Sequence, residues 1–291
     1  MQAEASPNNI INVFGNLTIN SGGVLDMDDN NSSTVDGVLK LSGNWTNNIG
    51  TAAFLEGNGK VQFSENTPQI INNVIPEGTE VFYDVQLSNN FNTSVSNNLI
   101  ALGNLTIYSN KLMIIDVNNY VRINKKLTND GNVLIESSGQ MIQVDETDTN
   151  IGTYTGTRFQ VKRNSTVSNF DYVYWSSPVE NFDVANMPNN NRYFWNPQTG
   201  NANGTVGNWN AASGPMQKAS GYIIRSSTNG ILTANFLEKP FNGSFTKTIF
   251  RGNYNVPVIL PSPIGLGATI EDDNWNFVGN PYSSAISATN S

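Results

Sequence analysis

The segment Gly103-Asn-Leu-Thr-Ile-Tyr108 decides the fold of the first half of this chain, because close variants of it recur there. The variants are Gly15-Asn-Leu-Thr-Ile-Asn20, Gly43-Asn-Trp-Thr-Asn-Asn48 and Lys125-Lys-Leu-Thr-Asn-Asp130. In chain order, and with the Gly103 segment in third place, the four segments begin 28, 60 and 22 residues apart. If the 60-residue gap holds three turns of about 20 residues, every gap is close to a whole number of β-solenoid coils. The repeat therefore predicts a pile of similar coils.

The segments between these repeats have the pattern of short strands. Gly37-Val-Leu-Lys-Leu-Ser-Gly43 and Gly131-Asn-Val-Leu-Ile-Glu136 are short runs rich in branched apolar residues, bounded by Gly or Asn. About one residue in six is Asn, which suits turns and can form side-chain amide ladders between coils. We therefore interpret the Asn pairs at 47–48, 72–73 and 118–119 as turns.

The second half has a different pattern. Its strand-like segments are separated by Pro, Gly and Asn at irregular spacing, and they are Phe159–Arg163, Tyr172–Trp175, Gly221–Arg225, Phe245–Phe250 and Trp275–Val278. The first half is acidic, and the second has a small excess of basic residues. We expect an all-β protein with a right-handed parallel β-helix over residues 1–150 and an antiparallel β-sandwich-like domain over residues 151–291.

The composition excludes several classes of function. The chain of 291 residues has no Cys and no His, which removes thiol nucleophiles, histidine triads, zinc sites and haem ligation. Its net charge of -8 argues against binding to nucleic-acid backbones. No run of about 18 apolar residues is present, so we expect no membrane-spanning helix. These observations predict a protein that is not an enzyme.

Four segments of the second half resemble a module of large secreted surface proteins of Bacteroidota. They are Tyr174-Trp-Ser-Ser-Pro-Val179, Tyr193-Phe-Trp-Asn196, Gly221-Tyr-Ile-Ile224 and Trp275-Asn-Phe-Val-Gly-Asn-Pro-Tyr282. The Gly-Asn-Leu-Thr repeats resemble the β-helical stalks of the same proteins. The resemblance implies an adhesin-like protein at the cell surface, exported by the type IX secretion machinery through a C-terminal region that this chain lacks. It also implies that the chain is a fragment of a longer protein, and it names no catalytic residue.

Aromatic residues in the second half are candidates for binding sugars. Tyr193, Phe194, Trp195 and Trp209 lie among Asn- and Gly-rich segments, and their rings could stack on sugar rings. Packing in a hydrophobic core is the alternative explanation for the same residues.

An acidic segment is a candidate for calcium. Asp26, Asp28 and Asp29 place oxygen ligands close together, although the segment lacks the Gly and the terminal Glu of an EF-hand loop. A solvated turn explains the segment equally. No other cofactor is indicated.

The leading hypothesis is a non-catalytic extracellular surface protein, in which a stiff solenoid presents a second β domain for binding to a glycan or a cell-surface protein. One alternative is a β-helical polysaccharide lyase or glycoside hydrolase, because such enzymes use paired carboxylates or calcium. The other alternative is a calcium-dependent binding module.

Overall fold

The computed structural model describes residues 10–28, 36–64, 67–73, 78–88, 93–145, 153–154, 158–200, 206–241 and 276–286. The fold is all-β, as predicted: the described helical segments are short 3-10 turns at Thr51–Ala53 and Val184–Asn186. Within these ranges no helix has the length and hydropathy needed to cross a membrane. The chain divides into two units, Met1–Arg163 and Asn164–Ser291, and the division falls inside the strand Arg158–Val167.

The first unit is a parallel β-solenoid, which confirms the prediction from the repeats. Its strands follow one another in sets of three: β1 Ile10–Val13, β2 Leu17–Ile19, β3 Leu25–Asp26; β4 Val38–Leu41, β5 Trp45–Asn47, β6 Phe54–Leu55; β7 Lys60–Phe63, β8 Gln69–Asn73, β9 Thr79–Phe82; β10 Asp84–Leu87, β11 Thr93–Val95, β12 Asn98–Ala101; β13 Leu105–Ile107, β14 Leu112–Ile115, β15 Tyr120–Ile123; β16 Leu127–Asn129, β17 Asn132–Ile135, β18 Gln140–Gln143. Strands β19 Thr153–Tyr154 and β20 Arg158–Val167 come next.

Each coil adds one strand to each face of the solenoid. The first face has the order β1-β4-β7-β10-β13-β16-β19, and the second runs from β2 through β5, β8, β11, β14 and β17 to β20. The third face consists of the pair β3-β6 and the sheet β18-β15-β12-β9. All of these pairings are parallel, so each coil hydrogen-bonds to the next.

The core of the solenoid follows from the alternation of side chains along each strand. In β13, Leu105 and Ile107 are fully buried, whereas Thr106 between them is partly exposed. The register then places apolar residues on apolar residues, as in Leu105 opposite Leu127. Stacking therefore buries an interior that a single coil could not fill.

The phase of the repeat differs from the prediction. Leu17 pairs with Trp45, and Leu105 pairs with Leu127, so the 28- and 22-residue gaps each span one coil. Trp45, however, lies on the second face, whereas Leu105 lies on the first, where register pairs connect it back to Leu39. The 60-residue gap between these two motifs therefore does not span a whole number of coils. The prediction that the 60-residue gap holds three coils is therefore wrong. A buried-exposed-buried strand occurs on every face, so the motif does not specify which face it occupies.

The Asn pairs are only partly turns. Asn118 is in a turn and has a φ of 62°, as expected. Asn47 and Asn73 instead lie within strands, are buried and face each other in register, so their interpretation as turn residues is wrong. Their side chains reach the backbone at the following corner, since Asn73 Nδ2 donates to the Thr79 carbonyl at 2.7 Å. A buried amide is tolerated where it satisfies backbone groups that a tight corner leaves unpaired.

The predicted amide ladders are present between coils. Asn48 Nδ2 donates to Asn20 Oδ1 at 2.8 Å, and Asn97 Nδ2 donates to Asn72 Oδ1 at the same distance. Both bonds join neighbouring coils. Asn therefore stabilises the stacking as well as the corners.

The second unit contains a four-stranded antiparallel sheet. Its strands are β21 Tyr172–Trp175, β22 Arg192–Gly200, β23 Val206–Ala211 and β24 Tyr222–Arg225, in the order β21-β24-β22-β23. A further strand, β25 Gly230–Leu237, supplies Leu232, Ala234 and Phe236 to the core. The predicted strand at Phe245–Phe250 lies outside the described residues. So does Trp275, and the adjoining Val278 forms only an isolated bridge with Ser220.

Candidate functional site

The antiparallel sheet of the second unit has two unlike faces. On one face, Trp175, Tyr222 and Ile224 are buried, and Trp175 packs on Phe236 with ring centroids 6.3 Å apart. Successive side chains of a strand point to opposite sides of the sheet. Tyr174 and Ile223, which are register partners, therefore lie on the other face.

That other face carries a chain of aromatic contacts, which we call the aromatic row and define as Tyr174, Phe277, Trp209 and Trp195. Ring centroids are 5.4 Å apart from Tyr174 to Phe277, 5.6 Å from Phe277 to Trp209 and 5.3 Å from Trp209 to Trp195. All three contacts are edge-to-face, the arrangement that aromatic quadrupoles favour. Tyr174 is 69% exposed and Trp209 is 37% exposed, so the row presents aromatic surface to solvent.

Two glycines make room for these rings. A Cβ atom on Gly221 would lie 2.4 Å from the Phe277 ring, and one on Gly207 would lie 2.3 Å from Trp195 Cζ2. Gly207 also has a φ of 101°, which L side chains rarely adopt. The rings of Phe277 and Trp195 therefore pack directly against the backbone at Gly221 and Gly207.

A positive charge lies on the same face. Arg225 is the register partner of Tyr172, which is two residues before Tyr174 on the same strand and therefore points the same way. The guanidinium carbon is 4.7 Å from the ring centroid of Phe170 and 5.8 Å from that of Tyr172. Both distances lie within the range of a cation–π contact.

The structure distributes the four predicted sugar-binding residues over both faces. Trp195 and Trp209 are directly opposite each other and form part of the aromatic row. Tyr193 lies on the same face as Trp195, two residues away. Phe194 pairs with Tyr222 and therefore belongs to the opposite, buried-side face.

The sequence analysis did not select Tyr174 and Phe277. Both occur in segments that carry the resemblance to secreted surface proteins, Tyr174–Val179 and Trp275–Tyr282. This resemblance was the feature of the sequence that could have indicated these two residues. Only the tertiary fold brings the two rings together, because they are about a hundred residues apart in the chain.

In the described part of the candidate calcium segment, Asp26 ends strand β3 and Asp28 follows it. Asp26 Oδ1 accepts a 3.0 Å hydrogen bond from the backbone N–H of Asp28, a contact typical of Asp in turns. Asp29 lies outside the described residues. Among the described residues, no three Asp, Glu, His or Cys side chains are grouped closely enough to hold a metal ion.

Glu80 is a buried carboxylate in the interior of the solenoid. Burial raises the pKa of Glu80 to about 7, and hydrogen bonds from Trp45 and Asn47 partly offset this effect. Burial also raises the pKa of Glu56, and the charge of Asp28 adds to it. A pKa near neutrality is common among catalytic acids, but Glu80 is 1% exposed and packs inside the coil. A polysaccharide cannot reach it there, so Glu80 has a structural role.

Comparison with known proteins gives a family. Residues 56–290 match the family described as a domain of unknown function, DUF8693. The chain belongs to the DUF8693 family. The DUF8693 match includes the whole aromatic row, Arg225 and Glu80. No curated protein and no solved structure matches the chain.

Proposed function

We propose that this DUF8693 protein is a non-catalytic protein of the cell surface whose aromatic row binds a glycan. The partly exposed run of four rings is the observation that supports this proposal most strongly. The apolar face of a sugar ring packs well on an aromatic ring, and several partly exposed rings along one sheet face offer successive contacts to an extended polysaccharide. Exposed aromatic surface of this kind on one sheet face marks an interaction site.

The solenoid serves in this proposal as a stiff structural support. Its parallel coils add about 4.8 Å of length each, and its interior is closed by packing and by backbone hydrogen bonds. We propose that its coils are right-handed, since parallel strand–crossover–strand connections almost always are. In the same way, we propose that the second unit is a β-sandwich in which the antiparallel sheet is one layer.

The proposed location rests on the sequence. The segments Tyr174–Val179 and Trp275–Tyr282 resemble those of secreted Bacteroidota surface proteins, which are exported by the type IX machinery. We propose the same route and an extracellular site of action for this chain.

Glycan binding can be tested with the intact chain on a glycan array and by affinity electrophoresis in polysaccharide gels. Tyr174→Ala and Trp209→Ala should each weaken binding about tenfold, because each removes one ring of the row. Tyr108→Ala is the matched control, since Tyr108 is a 42% exposed tyrosine of the solenoid. Binding that is unchanged in both row variants, or equally weakened in the control, would contradict the proposal.

A further inference from the structure

Arg225 places a positive charge on the sheet face that carries the aromatic row. Its guanidinium lies beside the exposed rings of Phe170 and Tyr172. Across the described residues the only ion pair joins Lys162 to Glu136, so Arg225 has no carboxylate partner in that part of the chain. Asp171 lies between Phe170 and Tyr172 in the chain. Its carboxylate accepts a 2.7 Å hydrogen bond from the Ser168 backbone N–H.

The nitrogens of the Arg225 guanidinium differ in their surroundings. Its Nε atom is buried and has no hydrogen-bond partner, and it is the only guanidinium nitrogen of Arg225 in that state. Arg225 as a whole is only partly buried, and neither terminal nitrogen is a buried atom without a partner, so we assign the ligand contact to these two nitrogens. Two adjacent N–H donors in a fixed plane match the two oxygens of a carboxylate.

The backbone is strained where it supplies one of the rings. Phe170 has a φ of 76°, which is unusual for a large side chain, and its ring is 61% exposed. The turn is held by bonds from Asp171 N to the Ser168 carbonyl and from Phe170 N to the Ser226 carbonyl. The fold thus maintains an unfavourable backbone conformation that places an exposed phenyl ring against Arg225, although this contact contributes little to the core.

We infer that the glycan bound by the aromatic row is acidic, and that Arg225 binds the carboxylate of a uronic or other acidic sugar. This inference rests on the proposed function. From Tyr172 to the level of Gly221, where Phe277 lies, the sheet face extends about 14 Å along the strands, which leaves room for several sugar units. Stacking on the row supplies affinity for any glycan, and Arg225 selects those with a negative charge.

The experiment compares acidic polymers with their neutral forms. Polygalacturonate, alginate and hyaluronan are each tested beside the carboxyl-reduced polymer, which keeps the chain and loses the charge. The wild-type chain should bind at least one acidic polymer tenfold or more tightly than its reduced form. Arg225→Gln should remove this preference and leave binding to the reduced form unchanged, whereas Arg122→Gln, an exposed arginine of the solenoid, should preserve the preference.

A second variant separates recognition from folding. Phe170→Gly relieves the unusual backbone conformation, so the chain should fold with equal or higher stability while the preference for the acidic polymer falls. Equal binding of the acidic and reduced forms by the wild type, or an unchanged preference in Arg225→Gln, would overturn the inference and leave the proposed function standing. Failure of the wild type to bind any polymer would overturn both.

Discussion

The indole Nε1 of Trp45 donates a 2.9 Å hydrogen bond to Oε2 of Glu80, and this bond lies in the interior of the solenoid. The other carboxylate oxygen accepts a 3.3 Å bond from Asn47 Nδ2. Trp45 also packs edge-to-face on Phe54 and Phe82, with ring centroids 4.8 and 5.0 Å apart. A titratable group is thus buried beside an aromatic cluster and hydrogen-bonded to the neighbouring coil.

The stability of the solenoid should depend on pH through Glu80. Because the folded pKa of about 7 is above the ordinary value of 4.5, the folded state holds its proton more tightly than the unfolded state does. The contribution is fully present below pH 4.5 and is lost as pH rises through 7, a difference on the order of 3 kcal/mol. Urea unfolding at pH 5 and pH 8 measures it.

The variant Glu80→Gln is the control for that measurement, since a glutamine can still accept the Trp45 bond and cannot titrate. At pH 8 the variant should be more stable than the wild type, because the buried Glu80 is then ionised and the glutamine stays neutral. The difference in the free energy of unfolding between the two proteins should be largest at that pH. Glu56 has a pKa raised in the same direction, so part of the pH dependence will persist in the variant. A wild type and a Glu80→Gln variant with the same pH slope would contradict this account of Glu80.

The first glycine of the repeat motif should differ in importance from coil to coil. A Cβ atom on Gly43 would lie 2.4 Å from the backbone carbon of Gly15, whereas one on Gly15 has no described atom within 4 Å. Gly43→Ala should therefore destabilise the chain by about 1–3 kcal/mol, and Gly15→Ala should change stability little. Thermal unfolding compares the two. Equal losses would show that the contact between these coils is not as close as described.

Binding should also be sensitive to the glycine beneath the aromatic row. Gly221→Ala places a methyl group against the Phe277 ring and should displace that ring without removing any aromatic residue. We expect weaker glycan binding, of the same order as for Phe277→Ala, at a cost in stability of about 1–3 kcal/mol. Affinity electrophoresis and thermal unfolding of both variants test this. Full binding by Gly221→Ala would show that the position of Phe277 does not matter.

We expect calcium to leave the stability of the chain unchanged, because Asp26 accepts a hydrogen bond from the Asp28 backbone and the described residues form no cluster that could hold a metal ion. The melting temperature of the intact chain should then be the same in EDTA and in millimolar calcium. A rise in melting temperature with calcium that disappears in Asp26→Asn would favour the calcium-dependent binding module instead.

The sequence predicted the architecture better than the details of the interior. Leu105-Thr-Ile107 has the alternation of a half-buried strand, so the coils could be predicted from the local pattern. The buried positions of Asn47, Asn73 and Glu80 could not, because a polar residue enters the core only where tertiary partners satisfy it.

The site was predicted in part for a similar reason. Trp195 and Trp209 were both selected, but their contact depends on the register between β22 and β23. Phe277 joins them from a distant segment, and Phe194 is directed away by the one-residue alternation of its strand. Local sequence shows that aromatic residues are present, and the fold decides which of them share a face.

Footprinting of the intact chain by hydroxyl radicals, with and without a polysaccharide that it binds, tests the central claim most directly. The account predicts that oxidation of Tyr174 and Trp209 falls when the polysaccharide is present, while the exposed Phe14 and Tyr108 of the solenoid react as before. Protection of the solenoid residues, with Tyr174 and Trp209 unchanged, would contradict it.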